Sequence, residues 1–431
     1  MRRRMLTALG LAGLLVVAIP PLPASAAPLT PEQASAACAA YFGVAEGPEP
    51  LNACQWRLRR VNAPQAWGDA TGKGVLVGII DSGVDRNHPD IAPNFDLALS
   101  CSFITTGTPT ADPSEIANGD CSNKAAVQDL QGHGTHVATT IAGANNGTGI
   151  SGIAPDATVA SLKACTIVGY CFVDAVVGAL RYAGDHGFDV VNLSLFADPF
   201  LYYCHNDAEQ RAMLLELRSA ARYAQQRGVV VVAAAGNESD DLGHPTTDEI
   251  SPDWPPDSAV TREVRNNCQV APAELPGVVT VSAIGVTELA SYSNVGTPVE
   301  VGAPGGDAAQ TPGTTYGRIL AGWTSTDLTG DYENFYSQTG RAVLGPDGGR
   351  YVWISGTSMA SPHAAGVAAL VREKHPNWGA GAVAAALTSG AIALACPSSW
   401  PADDERQCQG SPTQNSFYGS GIVNAVGALA H

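Results

Sequence analysis

The sequence predicts an α/β fold: a three-layer sandwich in which a central, mostly parallel sheet is covered by helices on both faces. Two observations lead to this prediction. Short apolar stretches rich in β-branched residues, such as "GVLVGIID" at 74–81, alternate along the chain with stretches of helical periodicity. The predicted strands are apolar throughout, which is typical of parallel strands buried on both faces.

The elements follow one another with short connections. Strands are predicted at 74–81, 158–164, 188–195, 229–236 and 277–285, and helices at 136–144 and 207–228. The second helix has apolar residues three and four positions apart and ends at Gly228, a residue that favours helix termination. The stretches 92–128, 238–270 and 305–350 are predicted to be loops, and we expect no second domain.

The first 26 residues have the pattern of a secretory signal peptide. Arginines at 2–4 precede an apolar run at 6–19, and small residues stand at 24–26. The run is short for a bilayer span, so a membrane anchor is the less favoured alternative. We expect cleavage near Ala26, a secreted and extracellular protein, an exposed Ala/Pro-rich arm or linker at 27–50, and one domain at 51–431.

Ten cysteines agree with an oxidising compartment. Their number is even, and no C-x-x-C pair occurs. We expect each cysteine to pair with its neighbour along the chain, although the sequence alone leaves other connectivities open. The expected pairs are Cys38/Cys54, Cys101/Cys121, Cys165/Cys171, Cys204/Cys268 and Cys396/Cys408. The first pair would tie the arm, which is too short to fold as an independent domain, onto the core.

Composition also limits the partners. The formal net charge is −17, and an acidic surface repels the phosphates of nucleic acids. No later segment reaches the roughly 18 apolar residues that a membrane-spanning helix needs. We therefore expect no nucleic-acid partner, no membrane association of the mature form, and a monomer.

Four polar residues stand at the ends of predicted elements. Asp81 ends the first strand in "IIDSGVD", and His133 opens a helix in "GHGTHVA". Asn237 follows the strand "VVVVAAAG", and Ser358 begins the helix of "SGTSMASPHAAGVAALV". Because active groups of open parallel sheets lie at the carboxyl ends of strands, we expect these four side chains to converge.

These side chains suit nucleophilic catalysis of acyl transfer. A serine hydroxyl is a weak nucleophile until a neighbouring base takes its proton, and imidazole does so near neutral pH. A carboxylate orients the imidazole and stabilises its charged form. An amide donor stabilises the oxyanion of the tetrahedral intermediate. The small neighbours Gly356 and Thr357 leave room for substrate and imidazole beside Ser358.

The segments "DSGVDRNHPD", "GHGTHVATTIAG", "VVAAAGNE" and "SGTSMASPHAAGVAALV" resemble the four signature blocks of the subtilisin-like serine proteases, in the same order. The resemblance covers residues 52–430. It implies a subtilisin-like fold and a serine endopeptidase that acts on proteins or peptides through an acyl-enzyme. It also implies roles for four residues: Asp81 as orienting acid, His133 as general base, Ser358 as nucleophile and Asn237 as oxyanion donor.

Two other interpretations fit the sequence less well. "GTSMA" at 356–360 is near the G-x-S-x-G pattern of α/β-hydrolases, but in that fold the serine precedes the acid and the histidine. A binding protein on a protease scaffold would usually lack a member of the triad, whereas all are present here. His136 and His363 match structural positions of the same motifs, and His88 is expected to be an ordinary surface or loop residue.

The substrate cleft departs from the family pattern. Where subtilisins have "SLGG" in the strand that pairs with substrate, this chain has Ser194-Leu195-Phe196-Ala197. The resemblance implies that Phe196 narrows or reroutes the primary pocket, unless the backbone shifts to accommodate it. Carboxylates after Asn237 suggest a pocket for basic side chains, although a solvated loop is the interpretation we favour. They are Asp240, Asp241, Asp248, Glu249, Asp253 and Asp257.

The resemblance also implies a structural calcium ion. Family members bind it with an aspartate nine residues after the catalytic one, the offset of Asp90. The stretch "ANNGTGI" at 144–150 matches the family's calcium loop in length, with Asn146 at the side-chain ligand position. An N-terminal ligand would be Asn52, and an empty Asn-Gly turn is the alternative. Main-chain carbonyls would complete the oxygen shell: those of Ala144, Thr148 and Ile150.

Overall fold

The computed structural model describes residues 27–45 and 47–431, so the predicted signal peptide lies outside the described residues. The α-helices are α1 (Pro31–Phe42), α2 (Trp56–Arg60), α3 (Ala63–Ala66), α4 (His133–Ala142), α5 (Val173–Asp185), α6 (Ala208–Gln226), α7 (Thr357–Lys374), α8 (Ala380–Ser389) and α9 (Ala425–Leu429). The strands are β1 (Leu76–Asp81), β2 (Cys101–Ser102), β3 (Thr158–Lys163), β4 (Val190–Leu193), β5 (Tyr202–Cys204), β6 (Val230–Ala234), β7 (Thr247–Asp248), β8 (Arg262–Glu263), β9 (Cys268–Val270), β10 (Val279–Ile284), β11 (Val301–Pro304), β12 (Ile319–Trp323), β13 (Ala342–Leu344), β14 (Arg350–Ile354), β15 (Gly410–Ser411) and β16 (Gln414–Asn415).

Seven strands form the central sheet, in the order β11-β10-β6-β4-β1-β3-β2. Every neighbouring pair in it is parallel. The five strands predicted from the sequence are β1, β3, β4, β6 and β10, which lie side by side. Their continuous apolar character follows from burial on both faces, and the predicted parallel sheet is confirmed.

Helices cover both faces of the sheet because strand side chains alternate in direction. Val77 and Ile79 of β1 belong to a core that includes α4 and α7. Ile80 belongs to a second core that includes α5 and α6. Gly78 is required for this packing, since a Cβ atom there would lie 2.8 Å from Leu162 Cδ1. The predicted three-layer arrangement is therefore confirmed.

The N-terminal arm is packed against the rest of the chain. The three-stranded sheet β12-β14-β13 shares a core with α1 that includes Ala34, Cys38 and Trp353, all 0% exposed. The disulfide between Cys38 and Cys54 links α1 to the short segment Asn52–Cys54, which precedes α2. Residues 31–42 are therefore not the exposed linker that composition suggested, because a face of small residues on α1 buries well.

The five predicted disulfides are present, and the described residues contain no free cysteine. The prediction of a loop at 305–350 is wrong in part, since β12 and β13 lie there. These strands have only three to five residues, so their periodicity is too short to identify them. Within the described part of the chain, no helix has the length and apolar character needed to cross a membrane.

Candidate active site

Asp81 and His133 meet at the carboxyl edge of the central sheet. Asp81 is the last residue of β1, and His133 is the first residue of α4. His133 Nδ1 and Asp81 Oδ1 are 2.8 Å apart. Gly134 allows this approach, since a Cβ atom there would lie 2.1 Å from the Gly83 carbonyl oxygen. The arrangement fixes the imidazole with Nδ1 towards the carboxylate and leaves Nε2 for another partner.

The surroundings of His133 favour its charged form. Burial lowers the pKa of His133, but the charge of Asp81, its hydrogen bond and the charge of Asp129 together raise the pKa above its ordinary value. Sequence reasoning missed Asp129. It is fully buried, and it accepts hydrogen bonds from the N–H groups of Gln131, Gly132 and Thr135, which shape the turn before α4. The only signal was an acidic residue four positions before the histidine.

Ser358 lies at the start of α7 and faces the same cleft as His133. The cleft has a volume of about 330 Å³. The Ser358 hydroxyl donates a hydrogen bond to the Ser194 carbonyl oxygen at 3.2 Å and makes none with His133 in the described structure. Such bonds often tighten only when substrate is bound, and a hydroxyl reorients by rotating about one bond.

The side chain of Asn237 is held with its amide nitrogen free. Its Oδ1 accepts hydrogen bonds from the N–H of Thr357 at 2.8 Å and from the hydroxyl of Thr357 at 3.0 Å. The Thr357 hydroxyl in turn accepts from the N–H of Gly236 at 3.1 Å. Asn237 Nδ2 donates to none of the described residues, so two N–H groups remain for a ligand in the cleft.

The predicted substrate strand borders this cleft. The Ser194 side chain faces α7, since its Oγ donates to the Ser358 carbonyl oxygen at 2.8 Å and lies 2.9 Å from Ser361 Oγ. Only its backbone is therefore directed to the cleft. Leu195 is half-buried against the core of α5 and α6. Phe196 is also half-buried, and it packs against a cluster that includes Leu201 while still lining the cleft.

Other residues of the cleft were missing from the sequence prediction. Asp198 and the disulfide pair Cys165 and Cys171 line it, and so does Asp253 from the acidic stretch. Two other carboxylates of that stretch are used inside the protein: Asp248 forms an ion pair with Arg262, and Asp240 accepts a hydrogen bond from Tyr202. The favoured interpretation, a solvated loop, is therefore wrong for three aspartates of the acidic stretch: Asp240, Asp248 and Asp253.

Asp90 and the 144–150 loop do meet, but their side-chain oxygens are occupied. The Thr148 hydroxyl lies between them, 3.0 Å from Asp90 Oδ1 and 2.7 Å from Asn146 Oδ1. The N–H of Ile150 donates to Asp90 Oδ2 at 3.0 Å. The carbonyls of Ala144, Thr148 and Ile150 accept no hydrogen bond from the described residues.

A second carboxylate, that of Glu49, lies beside the loop. Glu49, which is 3% exposed, accepts the N–H of Gly147 at 3.0 Å on both of its oxygens. The side chain of Asn52 lies against Gly47 instead of the loop. A cation at Asp90 would have to displace the Thr148 hydroxyl, so the side chains of Asp90 and Asn146, hydrogen-bonded as they are here, do not form a calcium site. The described residues contain no cluster of three or more metal-binding His, Cys, Asp or Glu side chains.

The remaining motif histidines are structural. His136 and His363 are fully buried, and burial keeps both neutral, lowering the pKa of His136 to about 3. His136 Nε2 lies 3.2 Å from the Ile319 carbonyl oxygen, which links α4 to β12. His88 was expected at the surface or in a loop. It is only 2% exposed, because its ring packs edge-on against Tyr351.

Comparisons with known proteins agree with this geometry. The sequence profile of the Subtilase family matches residues 72–421. Subtilisin BL from Lederbergia lenta is 28% identical over 379 residues, which cover 86% of this chain and 97% of that protein. Fervidolysin from Fervidobacterium pennivorans is 30% identical over 340 residues, which cover 76% of this chain but only 39% of fervidolysin.

Solved structures of proteases share the fold. The crystal structure of a lanthipeptide protease superposes with a TM-score of 0.62 at 26% identity, covering 87% of this chain and 93% of that one. The chain therefore matches known proteases in both sequence and structure. The protein is a subtilisin-like serine protease, and the chain belongs to the Subtilase family.

Proposed function

We propose that this protease is a secreted endopeptidase that hydrolyses peptide bonds of protein or peptide substrates through an acyl-enzyme on Ser358. The observation that carries the proposal is the 2.8 Å hydrogen bond between Asp81 and His133 at the cleft that contains Ser358. A base that is oriented in this way beside a serine at a helix start is the arrangement that activates a hydroxyl nucleophile.

In the first half-reaction, His133 Nε2 takes the proton of the Ser358 hydroxyl as Oγ attacks the scissile carbonyl carbon. Asp81 holds the tautomer that leaves Nε2 unprotonated, and it stabilises the imidazolium that forms. His133 then gives the proton to the leaving amine, and the C–N bond breaks. The product is an ester of Ser358. In the second half-reaction, His133 activates a water molecule that hydrolyses this ester.

Stabilisation of the oxyanion is assigned to Asn237 and the start of α7. The amide nitrogen of Asn237 is free because Thr357 holds its oxygen. The N–H of Ser358, in the first turn of α7, supplies a second donor and the positive end of a helix dipole. Both donors are in position before charge develops, so little reorganisation is needed.

Labelling with a fluorophosphonate tests the proposal. The purified protein should acquire one label at Ser358, and labelling should be lost in Ser358→Ala and greatly slowed in His133→Ala. Ser389→Ala, at the exposed end of α8, is the matched control and should label as wild type does. Labelling that persists in Ser358→Ala would assign the nucleophile elsewhere.

The proposal also covers the cleavage site, the N-terminal arm and the oligomeric state of the mature protein. Export should remove residues up to about Ala26, the arm at 27–50 should stay on the mature enzyme, and the enzyme should be a monomer. Support for a retained arm comes from α1, which is held by the Cys38–Cys54 disulfide and a buried core. N-terminal sequencing of the protein from culture medium and light scattering of the purified enzyme test these points. Calcium is not part of the proposal, because the side chains of Asp90 and Asn146 are already hydrogen-bonded.

A further inference from the structure

The cleft beside Ser358 is strongly one-sided in charge. Apart from Asp81, it is lined by the carboxylates of Asp198, Glu238 and Asp253. Of the described residues that line it, none is a lysine or an arginine. Glu238 already has protein partners, since it accepts from Asn294 Nδ2 at 2.7 Å and from the N–H of Asn237 at 2.8 Å. The other two carboxylates are less well satisfied.

Asp198 and Asp253 form a pair of neighbouring carboxyl groups in the wall of the cleft. Asp198 is only 3% exposed, and one of its oxygens accepts the N–H of Cys171. Oδ1 of Asp253 is buried and accepts no hydrogen bond from the described residues. Burial, followed by the neighbouring Asp253 carboxylate, raises the pKa of Asp198 well above its usual range. The raised pKa favours the protonated form of Asp198 in the empty cleft, and a positive charge between the two groups would favour the ionised form of both.

The wall around this pair suits a long cationic side chain. The ring of Tyr170 stacks on Phe172 at 5.7 Å and meets Trp254 edge-on at 5.5 Å. Its hydroxyl donates to the Asp253 carbonyl oxygen at 3.1 Å, which joins the two loops of the wall. Aromatic faces accommodate both the apolar stem and the charged head of lysine or arginine.

The wall is also fixed in place. The disulfide between Cys165 and Cys171 closes the short loop that carries Tyr170. The Asp198 carboxylate binds the backbone of Cys171 at the end of that loop. The pair of carboxylates is therefore set before substrate arrives, which lowers the entropic cost of recognition.

We propose that the protease selects substrates by a lysine or arginine side chain that enters this cleft and binds between Asp198 and Asp253. This inference rests on the proposed function, since it assumes that the peptide bond is cleaved at Ser358. It names the substrate class: peptides that carry a basic residue near the scissile bond. Phe196 at the rim is consistent with it, because a narrowed entrance admits an unbranched chain more easily than a bulky apolar group.

Matched peptides provide the test. A library of peptides first gives the position at which basic residues are enriched around the cleavage site. Two peptides are then compared that have arginine or its neutral analogue citrulline at that position. Wild type should prefer arginine by about 10-fold or more in kcat/KM, as expected for a close charge pair. The preference should fall below about 3-fold in Asp253→Asn and in Asp198→Asn.

The controls separate recognition from folding. Asp257→Asn removes the same charge from an exposed position of the same loop and should keep the arginine preference. Cleavage of the arginine peptide should fall much more than cleavage of the citrulline peptide in Asp253→Asn, since a general disturbance would slow both peptides equally. If Asp198→Asn does not fold, because Cys171 loses its partner, Asp253→Asn decides the question.

Fluorophosphonate labelling of the same proteins distinguishes failure of the inference from failure of the proposed function. If Ser358 is labelled but no basic residue is enriched at any position, the inference is overturned and the proposed function stands. If arginine is preferred equally in wild type, Asp198→Asn and Asp253→Asn, recognition lies elsewhere and the inference is again overturned. If Ser358 is neither labelled nor required for cleavage, the proposed function fails, and the inference fails with it.

Discussion

The active-site cleft and the 144–150 loop both match the sequence pattern of subtilisin-like proteases, but their polar groups are used differently. In the cleft, Asn237 Nδ2 donates to no described residue, and Oδ2 of Asp81 is buried without a hydrogen-bond partner among them. In the loop, both oxygens of Asp90 and the oxygen of Asn146 are hydrogen-bonded within the protein. A motif therefore specifies residue types, whereas the neighbours decide whether those residues remain free for a ligand.

The cleft and the loop also differ in the free-energy cost of their buried polar atoms. A buried polar atom without a partner costs about 1–3 kcal/mol, so folding alone does not favour leaving Asp81 Oδ2 unpaired. Such groups are retained where a ligand or a transition state uses them. At the loop, Thr148 and Glu49 remove this cost by supplying or accepting the missing hydrogen bonds.

Ser358→Ala should lower kcat for peptide hydrolysis by about 10⁶-fold, the loss known for removal of the subtilisin nucleophile. The reason is that the other serine among the described cleft residues, Ser194, directs its hydroxyl to α7. The melting temperature should stay close to that of wild type, since the change removes one partly buried oxygen. Active-site titration combined with a melting curve checks both statements. A variant that retained a hundredth of the wild-type rate would contradict the mechanism.

Asn237→Ala should lower kcat by about 100- to 1,000-fold with little change in KM, the magnitude known for loss of one oxyanion donor in a subtilisin. Thr357→Val offers a sharper version, since it leaves Asn237 present but removes the hydroxyl that holds its oxygen. A smaller loss in kcat is expected from Thr357→Val. Equal kcat values for wild type and both variants would show that the fixed amide does not serve the transition state.

Phe196→Gly should widen the range of residues accepted at P1 and raise kcat/KM for bulky apolar ones by about 10- to 200-fold. The ring lines the cleft and also packs against Leu201, so its removal opens space at the rim. A peptide library varied only at P1 measures the effect. Identical profiles for variant and wild type would mean that the ring serves only its packing role.

The pH profile should show a smaller effect on the acid side. His133 must be neutral to accept a proton, and its pKa is raised by Asp81 and Asp129 against the opposing effect of burial. The acid limb of kcat/KM should therefore lie above the ordinary histidine value of 6.5, with the rate falling as pH drops through it. In Asp81→Asn this limb should move to lower pH as kcat falls. An acid limb below that value in wild type would contradict the assignment.

The addition of calcium should have the smallest effect, with no change in the melting temperature. Because Asp90 and Asn146 are already engaged, the melting temperature should be the same in chelator and in millimolar calcium. Magnesium at equal ionic strength is the control. A site filled at one hundred times its Kd would add about 2.7 kcal/mol of stability, which is easily seen as a shift of several degrees. Such a shift, absent in Asp90→Asn, would restore the calcium site.

Much of the fold was predictable because its signals are local. The strands β1, β3, β4, β6 and β10 are runs of apolar residues, and α6 has clear helical spacing, so each was predicted near its observed bounds. The convergence of Asp81, His133, Asn237 and Ser358 was predictable because each ends or begins an element at one edge of a parallel sheet. Three kinds of feature were missed: the helices α1, α5 and α8, short strands such as β13, and contacts made by loops.

The sequence by itself determined the parallel sheet and the order of the four polar residues, because periodicity and motifs are properties of short stretches. Only the tertiary structure decided that Thr357 fixes the amide of Asn237, that Thr148 closes the 144–150 loop, and that Asp253 reaches Asp198 in the cleft. These contacts depend on how loops distant in the chain cross one another. No local pattern encodes that path, since it is set by packing of the whole core.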